Sequence, residues 1–203
     1  MIKYAALAIA VATPLHAQEK TFDFKGITNI EVRNGITVNV TQGDEISITG
    51  SAVSGDVEQF HLRKFGPWLA VNRHTRWFIF PYGRQDDLVL NVTLPDVRAL
   101  KAYDESQINA GTFSGDRIRA EALEGGTVTL GGFNYTETSL YATENGTLQI
   151  NGVCETLEAA AIIGATIDAS TLDCAIGTVD AQSKAVISVP DTLEIVAALP
   201  ETE

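Results

Sequence analysis

The chain has 203 residues, enough for one domain or one array of repeats. Its 26 acidic residues against 14 basic ones give a net charge of −12, so the general surface repels phosphate backbones and nucleic acid is not an expected partner. No apolar run reaches the roughly 20 residues of a membrane-spanning helix, and two cysteines are too few for a disulfide-dense scaffold.

The first element is MIKYAALAIAVATPLHAQEK. Lys3 precedes a short apolar run from Tyr4 to Ala12, and Thr13-Pro14-Leu15-His16-Ala17 ends on a small residue. This three-part order is that of a secretory signal peptide with cleavage after Ala17. Residues 1–17 are then removed, and residues 18–203 form a single mature domain in the periplasm or at the cell surface, with no transmembrane segment. No cysteine follows the cleavage position, so a lipid anchor there is not expected.

In NIEVRNGITVNV, residues 29–40, Ile30, Val32, Ile36, Val38 and Val40 mark two half-buried strands, with a turn at Asn34-Gly35. VTQGDEISITGS continues with another turn and a strand at Ile46–Ile48. Residues 50–87 break the pattern and read as an insertion or a wider, irregular part of the coil. Within them FHLRKFGPWLAVNRHTRWFIFPYGR, residues 60–84, holds seven of the fifteen aromatics, among them Trp68 and Trp77, beside Arg63, Lys64, Arg73, Arg76 and Arg84. Such a stretch either fills a wide interior or recognises a ligand. Aromatic faces stack on sugars and arginine forks pair with carboxylate or phosphate. If a ligand is bound anywhere, the candidate residues are Trp68, Arg73, Arg76, Trp77 and Tyr82. LVLNVTLPDV, residues 88–97, is a strand that ends at Pro95.

From Leu100 the chain repeats. Rows begin at Leu100, Ala120, Leu140, Ala159 and Val179, with steps of 20, 20, 19 and 20 residues. Two positions into each row stand Ala102, Ala122, Ala142, Ala161 and Ala181. Six positions in stand Ser106, Gly126, Gly146, Ala165 and Ala185. Eight positions in stand Ile108, Val128, Leu148, Ile167 and Ile187. A period-two alternation rich in Thr, Val and Ile is a half-buried strand, and a fixed period near 20 means stacked units. Each row is one coil of a β-solenoid, its coils about 4.8 Å apart. The fold class is all-β.

Cys154 and Cys174 each lie five residues before a row start, so they share a column in neighbouring coils. Neighbours in such a column fall inside the Cα window of a disulfide, and the pair is expected to be bonded. The histidines and carboxylates form no recognisable catalytic or metal-binding motif, and no cofactor is implied. Asp86-Asp87 is a visible acidic pair, but adjacent strand residues point to opposite faces. In the polar column Asn109, Thr129, Gln149, Asp168 and Ser188, nine positions into the rows, only Asp168 is acidic. Asn39, Asn91, Asn134 and Asn145 each begin an N-x-T sequon, an ordinary strand or turn sequence in a bacterial chain. Gln107, Thr127, Thr147, Thr166 and Val186 line a flat face. Threonine ladders of this kind resemble those of ice-binding proteins, although β-propensity alone explains threonine there.

FKGITNIEVRNGITVNVTQGD at 24–44, LVLNVTLPDVRALKAYDESQINAG at 88–111 and the alanine- and glycine-punctuated rows after them resemble the head GIN domain family of "putative auto-transporter adhesins". Tyr103-Asp104-Glu105-Ser106 stands where that family usually has a small-residue turn. The resemblance implies a right-handed parallel β-helix and brings no catalytic residues. The expected function is non-catalytic binding or adhesion on a rigid scaffold, toward a surface polysaccharide or an envelope protein. A polysaccharide-processing β-helix enzyme and a structural module that binds another protein at its exposed last strand edge are the alternatives.

Overall fold

A computed structural model describes residues 18–54, 56–73 and 87–196. In chain order its strands are β1 (Gln18–Thr21), β2 (Asn29–Val32), β3 (Thr37–Gln42), β4 (Ser47–Ser54), β5 (Phe60–Phe65), β6 (Trp68–Arg73), β7 (Asp87–Leu94), β8 (Ala99–Ala102), β9 (Gln107–Ala110), β10 (Ser114–Ala122), β11 (Thr127–Ala142), β12 (Thr147–Ala161), β13 (Thr166–Ala181), β14 (Val186–Ser188) and β15 (Glu194–Ile195). A single 3-10 turn at Val57–Gln59 is the one helical piece among the described residues, and none there is long and apolar enough to cross a membrane.

These strands form a β-solenoid. In β11, Val128, Leu130, Phe133, Tyr135, Thr138, Leu140 and Ala142 are buried, and the residues between them face outward. The alternation breaks where two consecutive residues face out, at Gly131-Gly132 and Thr136-Glu137. A strand can turn both residues outward only by bending, so these pairs are corners and the full coil has three sides. β12 bends at the matching places. The sequence columns become parallel ladders: Val128 pairs with Ile108 and Leu148, and Ala142 pairs with Ala122 and Ala161.

The return from the third side to the first is a four-residue turn whose two central residues both have positive φ. These pairs are Asn34-Gly35, Asp104-Glu105, Glu124-Gly125, Glu144-Asn145, Ile163-Gly164 and Ser183-Lys184. Two consecutive positive φ values are the mark of a type I′ turn. Glutamate is an unusual choice there, since the left-handed region costs a residue with a Cβ about 1–2 kcal/mol. The stack offsets the cost. From Asp104-Glu105 onward the turns close on themselves, as Gly126 N donates to Leu123 O at 2.8 Å, and successive turns bond one another, as Gly125 N donates to Glu144 O at 3.0 Å. The fourth turn position explains the small-residue column: a Cβ on Gly126 or Gly146 would strike the carbonyl of Ala102 or Ala122 in the coil below.

The stacking order departs from the chain order. β2 pairs with β8 on one side and β6 on the other, and β3 pairs with β9 and β7. The coil made of β6 and β7 therefore lies outside the coil of β2 and β3. The chain then crosses back through residues 95–98, where the buried Tyr135 donates its hydroxyl to Val97 O at 2.7 Å.

The described part of the segment read as irregular is regular, while residues 55 and 74–86 lie outside the described residues. Residues 50–73 supply the end of β4, the 3-10 turn, β5 and β6, with Leu69 and Val71 fully in the core. They miss the twenty-residue template because β4 and β5 run antiparallel to their neighbours and terminate the stack, as does β1. Phe22 and Phe60 close this end, their rings edge to face with centroids 6.0 Å apart. The other end is open among the described residues: Val179, Ala185, Ile187 and Val189 are half-buried, and Ala181 is exposed although the other members of its column are fully buried.

Cys154 and Cys174 face each other in register on β12 and β13, disulfide-bonded, with Cα atoms 4.5 Å apart. Replacing both by alanine is expected to lower the unfolding free energy by about 3 kcal/mol, the value for a closed loop of this length, read by denaturant titration. A midpoint unmoved by the substitution or by reductant contradicts this.

The stacked turns place Asp104, Glu124 and Glu144 on one ridge. Hydrogen bonding to Asp104, then repulsion from Asp104 and Glu144, raises the Glu124 pKa above its usual 4.5, while Arg33 opposes the shift. A carboxyl with a raised folded-state pKa binds its proton more tightly when folded. Its stabilising contribution is complete below pH 4.5 and is lost as pH rises through the raised value. The E124Q variant should therefore lack that part of the pH dependence and gain on the parent as pH rises toward neutrality. Parallel stability curves for the two proteins would refute the assignment.

Candidate functional site

On the third side, β6, β2, β8, β10 and the second half of β11 lie next to one another. Ala70, Glu31, Lys101, Glu121 and Tyr141 form one column. Trp68, Asn29, Ala99, Arg119 and Ser139 form the column two residues before it. Leu69 and Val71 point inward, so period two sends Trp68 outward, where it is half-buried against the face.

Lys101 is the hinge of the patch. Its Nζ sits 5.2 Å from the Trp68 ring centroid and donates to Glu121 Oε2 at 2.8 Å. Arg119 pairs with the other oxygen of Glu121. The Glu121 side chain is only 5% exposed, so these two cations sit against a carboxylate largely removed from water. Next to it the Arg33 guanidinium stacks 3.8 Å from the Tyr103 ring centroid and its Nε donates to Glu31 Oε1 at 2.8 Å. Burial works against the Arg33 charge, but the bond to Glu31 and the attraction of Glu31, Tyr103 and Asp104 together outweigh it and the pKa rises. Burial also raises the Tyr103 pKa, against the pull of Lys101, so its hydroxyl stays protonated at neutral pH and can donate. Half-buried aromatic rings beside fixed charges and a phenolic hydroxyl suit stacking and hydrogen bonding to a polyhydroxyl ligand.

The same side continues into a groove of about 570 Å³, lined by Arg117, Arg119, Glu137 and Glu158 and ending at Ile176 and Val196. Arg117 Nε donates to Glu137 Oε2 at 2.7 Å.

Of the five residues singled out from the sequence, Trp68 and Arg73 are described and stand at opposite ends of β6. Arg73 Nη2 donates to Gly35 O at 3.0 Å, which ties the outer coil to the first stacked turn. Arg76, Trp77 and Tyr82 lie outside the described residues, as do His74 and Arg84. The aromatic stretch divides: Phe60 is core and Phe65 is exposed. The sequence reading did not single out Lys101, which contacts Trp68, or Tyr103, Glu121 and Tyr141 on the same side. The column one residue into each row, Lys101-Glu121-Tyr141, carried that signal. The acidic ridge was missed because its members sit in turns and not on strand faces. Among the described residues no group of three or more His, Cys, Asp or Glu is placed to hold a metal ion.

The first side is different in character. Asn109 Nδ2 donates to Asn39 Oδ1 at 3.1 Å and Asn39 Nδ2 to Asn91 Oδ1 at 3.0 Å, an amide ladder over three adjacent strands. Thr127, Thr147 and Thr166 stack in the next outward column.

The model of the family described as "Putative auto-transporter adhesin, head GIN domain" matches residues 26–199. A solved structure of a "putative adhesin" from Bacteroides fragilis is similar over 90% of this chain and 94% of its own, with 10% identity and a TM-score of 0.76. A "putative lipid binding protein" from Parabacteroides distasonis is 8% identical over 92% and 98%, with a TM-score of 0.62. A "putative adhesin" from Parabacteroides merdae is 11% identical over 92% and 98%, with a TM-score of 0.53. At these identities the likeness is one of fold. No curated protein matches the chain. The solenoid, its register and the match across nearly all of the described residues make the chain a member of the auto-transporter adhesin head GIN domain family.

Proposed function

We propose that the protein is an exported, non-catalytic adhesion module that recognises a surface glycan through the patch around Trp68. The observation that carries this reading is the outward, half-buried indole held against Lys101 on a rigid parallel sheet. An aromatic that filled the interior would have been placed on the Leu69 side of the strand. The family and its structural neighbours bear adhesin names, which agrees with recognition as the role. The ion pairs favour binding over hydrolysis. Glu121 is paired with Lys101 and Arg119, and Glu137 with Arg117, so both carboxylates are engaged within the protein rather than offered to a substrate. Export rests on the signal-like residues 1–17, and the periplasm or cell surface is the matching address.

A second reading uses the open last coil. Among the described residues β14 and β15 pair only with β13, and Val186 and Ile195 are 55% and 58% exposed. An unpaired edge with apolar side chains can accept a strand from an envelope protein.

The test is retention on a panel of surface polysaccharides, for the exported protein and for Trp68→Ala. Trp68 lies outside the core, so the variant should keep its circular dichroism and lose binding by about tenfold or more. Binding unchanged in a folded Trp68→Ala protein would sink the reading.

A further inference from the structure

We propose that the first side of the solenoid is a second recognition surface, a docking strip for a neutral, extended polysaccharide lying along the solenoid axis. It is a different side from the one that carries Trp68 and does not depend on it.

Charge comes first. The two outward columns of this side run across seven adjacent strands, from β7 to β14. Asp168 is their only ionisable member, in a chain with 26 acidic and 14 basic residues. Hydroxyls and amides fill most of the rest. Such a strip offers hydroxyls and amides and almost no charge of its own, so the partner that suits it is uncharged and rich in hydroxyls.

Shape comes second. At about 4.8 Å per strand the strip is roughly 29 Å long and two side chains wide, a track for a linear chain. Its width offers nothing to enclose a small molecule.

Preorganisation comes third. Each amide of the Asn109-Asn39-Asn91 ladder orients its neighbour, so the direction of its remaining N–H groups and lone pairs is fixed before a ligand arrives. Groups already immobilised lose little entropy on binding, and that loss is what makes exposed polar side chains weak binders elsewhere. The sheet beneath is continuous and parallel, so the donors repeat with a constant spacing that a polymer with a repeating unit can match.

The experiment measures binding of the exported protein to hydroxyethyl cellulose, a neutral β-linked polymer, with alginate as the anionic contrast. Two variants alter the strip. Thr129→Glu with Gln149→Glu adds charge to it, and Asn39→Ala with Asn109→Ala removes amides without adding charge. Expected are binding to the neutral polymer that is insensitive to salt, and a loss of about tenfold or more in either variant. Trp68→Ala should leave this binding in place. The proposal is overturned by no binding to the neutral polymer, by binding that persists in the alanine pair, or by preference for alginate. Loss in Trp68→Ala with retention in both strip variants overturns it too, and assigns the polymer to the Trp68 patch. Inhibition of ice recrystallisation that needs the strip, without polymer binding, would make it an ice-facing surface instead.

Discussion

Everything in this molecule depends on register. A solenoid coil has no partner but the coils on either side, so each backbone group is satisfied only if every side and every corner of one coil sits over the same place in the next. Sides meet that demand easily, because parallel strands carry the ladder. Turns are the difficult places. Here the type I′ conformation recurs in stacked turns, and N–H groups such as that of Gly125 find the carbonyl of the adjoining turn. The column of Gly126 and Gly146 follows from that stacking, since a side chain there would displace the coil next to it.

The same constraint explains what the outside can offer. Once the register is set, each outward residue stands beside its equivalent in the next coil, and columns become surfaces. A column of Asn and Thr gives a flat uncharged strip. A column that reads Lys, Glu and Tyr gives the patch around Trp68. Turn residues give an acidic ridge whose members repel one another. The three surfaces therefore differ chemically while resting on one backbone geometry.

This is also why the fold was so legible and the patch was not. Ala102, Ala122, Ala142 and Ala161 are bound to recur because the interior is narrow at that point, and a recurring residue can be read without coordinates. The cysteine pair was readable for the same reason. Trp68 belongs to no repeat. Its neighbour Lys101 is distant in sequence and reaches it across β2, because the coil of β6 and β7 stacks outside that of β2 and β3. No local pattern states that reversal. The antiparallel strands that close the first end escaped for a related reason: a strand that terminates a stack obeys no period.

The reversed coil has a consequence for how the chain acquires its structure. As the chain is made, β2 and β3 appear first and can pair with nothing that already exists on their outer side. That side stays bare until β6 and β7 have been synthesised and have doubled back over it, and β8 must then travel past the finished coil to begin the next. Assembly from β8 onward is sequential, each coil adding to a template already in place. The first half is a closure problem between distant segments, slow by its topology. The second half is simple growth. A chain interrupted between these two phases would present the open edges of β2 and β3, so the beginning of the protein is where its vulnerability to mispairing is concentrated.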